Sequence, residues 1–361
     1  METRIVTIDG TQTRDERKEL LMQAGKILQD GGLVVFPTET VYGLGADAFN
    51  AEAARKIYEA KGRPSDNPLI VHIADPEALS DIAVFRDDAM RDMAMKLAGA
   101  FWPGPLTMVL PKRDHVPAET TGGLQTVAVR MPSHPIARAL IRAGGGFVAA
   151  PSANRSGRPS PTSAAHCVED LNGRVDWIID GGPCVHGVES TVADCTEGTM
   201  PVILRPGVVT AAMIAQALNA PEAEMLPVTD LLENREVVHP KAPGMKYRHY
   251  APKGRLRIVR GEAEKTVAYI NREAGKLRKT GKKTGVLSSE ELFSRYDADM
   301  VIAIGKRADS AAAAHGLYDA LRQMDTESID EIFSESFEEG DASEALMNRM
   351  YKASGGLVTS V

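Results

Sequence analysis

The sequence predicts an α/β protein in two domains, and three observations carry that expectation. Short apolar runs rich in β-branched residues alternate with helix-like stretches along both halves of the chain. The 361 residues exceed what one hydrophobic core usually holds, roughly 100 to 200 per domain. A segment with three prolines and a glycine, His239 to Pro252, interrupts the alternation where no long regular element can form. The expected division is a catalytic domain over 1–210, a connecting helix and Pro-rich linker over 211–254, and a second domain over 255–361.

In the first domain, strands are expected at Leu33 to Phe36, Leu69 to Ile73, Leu106 to Leu110, Thr126 to Val129, Phe147 to Ala150, Trp177 to Ile179 and Val202 to Leu204. Helices are expected at Arg14 to Gln29, Ala51 to Ala60, Asp87 to Ala98, Pro135 to Ala143 and Ser163 to Leu171, with a further one at Ala211 to Leu218. Frequent glycine and proline keep the strands short, and strand order is not readable. After the linker, strands at Leu256 to Val259, Thr284 to Leu287, Met300 to Ile304 and Ile329 to Ser334 alternate with helices at Ala263 to Thr280, Ser310 to Met324 and Ala342 to Lys352. That alternation outlines a small, open, mostly parallel sheet.

Composition excludes several classes. A hydrophobic content of 43% with 25% charged residues is ordinary for a globular chain. No apolar run approaches the roughly 20 residues needed to cross a bilayer, and Met1 to Gly10 lacks the apolar centre of a signal peptide. Cys167, Cys184 and Cys195 have no metal-type spacing, and any disulfide would leave one unpaired, so a reducing cytoplasm is the expected location. A formal charge of −7 argues against a broad nucleic-acid surface, though not against a local basic pocket.

Two loops carry the chemistry. Lys61-Gly62-Arg63-Pro64-Ser65-Asp66-Asn67-Pro68 follows a helix, and its Lys61 and Arg63 suit either a helix end, where cations oppose the dipole, or one shared phosphate or carboxylate. Phe147 to Asn154 is a buried-strand run ending in Ser152 and Asn154, which suit a turn or a ligand at a strand end. Arg158 to Thr162 adds a polar loop, and Gly187 to Val192 puts two hydroxyls at the mouth of an expected strand.

Two phosphate-binding patterns fail. Gly43, Gly45 and Ala48 fit a loose dinucleotide motif, but Pro37 to Tyr42 separates them from the strand end. Gly281-Lys282-Lys283-Thr284 resembles the end of a P-loop, but it follows a helix and has Lys283 where Ser or Thr belongs. No histidine has metal-ligand spacing with cysteine, and no serine lies in a Gly-x-Ser-x-Gly elbow. His72, between Val71 and Ile73, reads as a hydrogen-bonded core or edge histidine.

Together these segments resemble the Sua5/YrdC threonylcarbamoyl-AMP synthases, of the two-domain Sua5 type. The resemblance runs through Pro37 to Leu44, Lys61-x-Arg63-Pro64-x-x-Asn67-Pro68-Leu69, Trp102 to Thr107, Thr126 to Pro132, Ala150 to Asn154, Gly187 to Thr191, Leu204 to Gly207 and Ala242 to Tyr250. It implies a YrdC-like twisted mixed sheet around a positively charged cavity, followed by a Rossmann-like domain. It also implies condensation of L-threonine, bicarbonate and ATP to threonylcarbamoyl-AMP and pyrophosphate, with Mg2+ accompanying ATP. The product is the donor for t6A modification of tRNA, so t6A transferase proteins and tRNA are the implied downstream partners, and no membrane is.

By the same resemblance, Lys61, Arg63, Ser152 and Asn154 form a catalytic quartet. Fixed cations there would stabilise charge as a carbamate attacks the α-phosphorus. Thr38, His72, Arg130 and Ser190 fall where the family holds threonine. Lys61, Ser65, Thr126, Ser152, Ser160, Arg205 and Tyr247 fall on the ATP side, and either Tyr247 or Tyr250 is suited to close over it from the linker. Two other classes share a YrdC-like fold: an RNA-binding module, disfavoured by acidity and 5% aromatics, and a HypF-like carbamoyl-transferring protein, disfavoured by only three cysteines.

Overall fold

Local signals start and stop most helices where the sequence places them. The helix Arg14–Gln29 begins at a reciprocal capping box between Thr13 and Glu16. The helix Ala51–Lys61 is capped by Asn50, whose side chain accepts from the Ala53 amide, and ends on Gly62 in the left-handed region. The molecule is described from a computed structural model covering residues 2–197, 200–220, 249–340 and 342–361.

The first domain contributes β1 (Arg4–Thr7), β2 (Val34–Phe36), β3 (Gly43–Asp47), β4 (Ile70–Ile73), β5 (Leu106–Pro111), β6 (Thr126–Arg130), β7 (Phe147–Ala149), β8 (Trp177–Asp180), β9 (Thr191–Asp194) and β10 (Val202–Arg205). These join in one mixed sheet of order β1-β8-β2-β3-β7-β4-β6-β5-β9-β10. The second domain contributes β11 (Arg255–Arg260), β12 (Thr284–Ser289), β13 (Met300–Gly305), β14 (Glu331–Glu335) and β15 (Val358–Ser360), ordered β13-β12-β14-β11-β15. Every pairing in this second sheet is parallel.

Three strands fall outside the sequence expectation: β1, β3 and β15. The edge strand β1 is short and mostly exposed, and its pairing with β8 lies far away in sequence. Glycines at 43 and 45 lower the strand propensity of β3. They are there for space: a Cβ on Gly45 would sit 2.9 Å from both Phe36 and Val148.

Alternation sets the faces of the first sheet. On β4, Val71 and Ile73 enter the large core that also holds Leu44, Leu106 and Val129, so His72 turns to the other side. The helix Ala211–Leu218 buries Ile214 and Ala215 in that same core. The two domains are not insulated from each other. Val41 and Val188 of the first share a cluster with Tyr250, Leu317 and Tyr318.

Candidate active site

The face that carries His72 floors a cavity. His72 on β4 pairs in register with Arg130 on β6, and Arg130 pairs with Thr107 on β5. Three neighbouring strands therefore aim polar side chains to one side. Burial and the nearby Arg130 lower His72 to about 3, so its imidazole is neutral, with Nδ1 3.1 Å from the Ile70 carbonyl oxygen. Arg130 is almost wholly buried and donates from Nη2 to Glu39 Oε1 at 2.6 Å and from Nη1 to Thr40 Oγ1 at 2.8 Å. Burial pushes the Glu39 carboxyl up, yet Arg130 together with backbone amide hydrogen bonds outweighs it and the net direction is down. Thr38 Oγ1 lies 2.9 Å from Thr40 Oγ1 and donates to the Val41 carbonyl.

The Lys-x-Arg loop forms a second wall. Gly62, at φ 62°, turns the chain so that Lys61 and Arg63 both fold inward. Lys61 Nζ donates to the carbonyl oxygens of Ser152 and Asn154, each at 2.5 Å, and approaches Asn154 Oδ1 at 3.4 Å. Burial and then Arg63 pull Lys61 well below the usual lysine range. Ser152 Oγ donates to Asn154 Oδ1, which closes a compact Lys61–Ser152–Asn154 unit. Arg63 Nη2 donates to the carbonyls of Asn67 and Pro68, while Nε has no partner among the described residues. Burial brings Arg63 down to about 10.

A third wall is shared between domains. Ser190 Oγ lies 2.7 Å from Thr107 Oγ1 and accepts from Arg205 Nη2 at 3.1 Å. Next to it, Glu189 accepts from Ser160 Oγ and, across the domain boundary, from Tyr318 and Arg349. His249 and Tyr250 roof the cavity, with Tyr250 tilted against Tyr318 at a ring distance of 5.4 Å. About 40 Å³ remains between the walls. At roughly 10–15 Å³ per water on this measure, that is room for a few water molecules.

A family model spanning Sua5, YciO and YrdC, described as telomere recombination, matches residues 26–207. A second, described as the C-terminal domain of threonylcarbamoyl-AMP synthase, matches 209–355. A threonylcarbamoyl-AMP synthase of Bacillus subtilis is 46% identical over 99% of both chains. The chain belongs to the Sua5 family. Another Sua5 relative, the threonylcarbamoyl-AMP synthase of Pyrococcus abyssi, is 46% identical over 98% of this chain and 99% of its own. The crystal structure of P. abyssi Sua5 complexed with L-threonine superposes with a TM-score of 0.90 at 44% identity, covering 99% of this chain and 100% of that one.

Within this Sua5 fold, the cavity gathers Thr38, Arg63, His72, Arg130, Ser152, Ser190 and Arg205. Lys61 and Asn154 stand directly behind Ser152, and Ser160 stands behind Glu189. Ser65 is exposed on its turn, and Thr126 opens β6 four residues before Arg130; neither lines the cavity. Tyr247 lies outside the described residues, whereas Tyr250 is in the cavity roof. Sequence reasoning passed over Glu39, Thr40, Glu189, Tyr318 and Arg349. Glu39 and Glu189 sat inside motifs already singled out, and their clue was a carboxylate beside buried apolar residues, which demands a cation. Nothing local marks Tyr318 or Arg349.

Among the described residues no group of three or more His, Cys, Asp or Glu is placed to hold a metal ion. Glu189 in the cavity wall and Glu39 beside Arg130 are each paired with an arginine. The described residues therefore offer Mg2+ no protein cage.

Proposed function

We propose that this chain condenses L-threonine, bicarbonate and ATP to threonylcarbamoyl-AMP and pyrophosphate, the first being the product for which its relatives are named. The observation that carries the assignment of sides is one cavity walled by two chemically different sets of groups. On one side the Arg130–Glu39 pair lies beside Thr38, His72 and Ser190. A balanced pair of charges suits a zwitterionic amino acid better than a polyanion. On the other, Arg63 and Arg205 face the space with Lys61 behind Ser152, an excess of cations that suits a triphosphate.

In this scheme threonine's amine and bicarbonate give a carbamate and water. A carbamate oxygen then attacks the α-phosphorus, and the bond to the bridging oxygen breaks to release pyrophosphate. Arg63 stabilises charge on the phosphate oxygens, and Lys61 fixes Ser152 and Asn154 so that the loop needs no rearrangement during the step. Mg2+ enters as part of the Mg2+–ATP substrate. His249 and Tyr250 stand over the cavity, and in this reading their withdrawal opens it to ATP, so these two residues act as a lid. The product then serves t6A transferase proteins that modify tRNA.

The test is mass spectrometry of the product formed from ATP, bicarbonate and L-threonine, with L-serine as control. An adduct of threonylcarbamoyl-AMP mass, formed with threonine and not without bicarbonate, is expected. ATP turnover with no such adduct would sink the assignment. Proteolytic separation of the domains with full activity retained would sink the lid.

A further inference from the structure

The second domain has an arginine inside the wall of the site. Arg349, on the helix Ser343–Ser354, is fully buried. Its Nε donates to Glu189 Oε2 at 2.8 Å and its Nη2 to the Glu189 carbonyl at 3.2 Å. Its Nη1 donates to the Pro206 carbonyl at 2.7 Å. One guanidinium thus ties the strand entering β9 to the strand leaving β10. The residues between those two anchors are the ones facing the cavity, Ser190 and Arg205.

Glu189 passes the constraint further. Its Oε1 accepts the Ser160 hydroxyl at 2.5 Å, and both its oxygens accept from Tyr318 at 3.0 and 3.2 Å. With its proton committed to Glu189, Ser160 can only accept a hydrogen bond from a ligand, so Glu189 sets the sense of that contact. Burial pushes Glu189 up, but Arg349 and Arg205, helped by the Ser160 hydrogen bond, hold it down at about 2, so it stays charged.

We propose that Arg349 is a positioning residue for the nucleotide side of the site, a clamp from the second domain that acts through Glu189 on Ser160 and through the backbone on Arg205. This rests on the assignment of Ser160 and Arg205 to ATP. The second domain is then a structural part of the catalytic site, and its contribution is to hold groups that the first domain carries on loops.

The experiment is direct calorimetric binding of Mg2+–ATP to the full-length chain, in four variants. Arg349→Met is expected to weaken ATP at least about tenfold, and Arg349→Lys to recover part of that loss. In a Ser160→Ala background the same Arg349→Met change should cost clearly less than in the wild type, because the hydroxyl route is gone and only the route through Arg205 remains. Equal losses in both backgrounds would mean general loosening and overturn the proposal, as would unchanged ATP affinity in Arg349→Met. Should Arg349→Met fail to fold, Glu189→Gln/Arg349→Met removes both buried charges and must still show the weakened binding. Wild type that binds ATP yet makes no threonylcarbamoyl-AMP would sink the functional assignment and leave the clamp standing.

Discussion

The floor of the cavity and its far wall are built by different means. His72, Arg130 and Thr107 stand in register on β4, β6 and β5, so the sheet's own ladder fixes their spacing. Glu189 and Ser160 stand on loops; a guanidinium and a phenol from another domain hold Glu189, and Glu189 in turn holds Ser160. Strand-mounted groups come preorganised, whereas loop-mounted groups need an outside brace. The two constructions predict different failures.

The floor should fail by unfolding. Arg130→Met leaves Glu39 as an uncompensated buried charge, at a cost of about 3–5 kcal/mol. Urea denaturation should show that loss and recover most of it in Glu39→Gln/Arg130→Met. A cost below about 1 kcal/mol would mean that the pair is solvated. The wall should fail more gently. Tyr318→Phe deletes the hydroxyl that Glu189 accepts and should cost about 1.5–3 kcal/mol by the same assay, since the acceptor is charged.

The Lys-x-Arg loop lies between these cases, being buried and backbone-anchored. Lys61→Ala and Arg63→Ala should each lower threonine-dependent pyrophosphate release at least tenfold, equivalent to about 1.4 kcal/mol of barrier. A folded variant with wild-type turnover would remove that residue from the mechanism.

The smallest effect is a matter of pH. His72 falls from 6.5 to about 3 on folding, chiefly through burial. A depressed pKa means that the unfolded chain takes up the proton first, so the contribution is intact above pH 6.5 and fades as pH falls toward 3. His249 has the same sign and about the same value. Between pH 6.5 and 5 the carboxylates hardly titrate, and His72→Gln should flatten the slope of unfolding free energy there. An unchanged slope would mean that the floor admits a charged imidazole.

Much of this molecule was legible in advance because its signals are local. The helices at Arg14–Gln29, Pro135–Ala143 and Ala211–Leu218 fall on the expected residues, where caps, a leading proline and periodicity agree. The second sheet follows from strands alternating with helices. The site was legible only as segments: Lys61 and Ser152 were marked as polar residues at helix and strand ends, and spacing left each open between a structural and a ligand-binding role.

What the sequence by itself determined was therefore most of the elements and the residues with chemistry to offer. Only the tertiary structure decided who meets whom. Glu189 and Arg349 are 160 positions apart, and their pairing depends on helix Ser343–Ser354 packing over the first domain. The edge strand β1 exists because β8 accepts its hydrogen bonds, and β3 because Phe36 and Val148 leave room only for glycine. Local propensity records what a segment can do alone, whereas a buried charge or a sheet edge is settled by the partner that long-range packing brings to it.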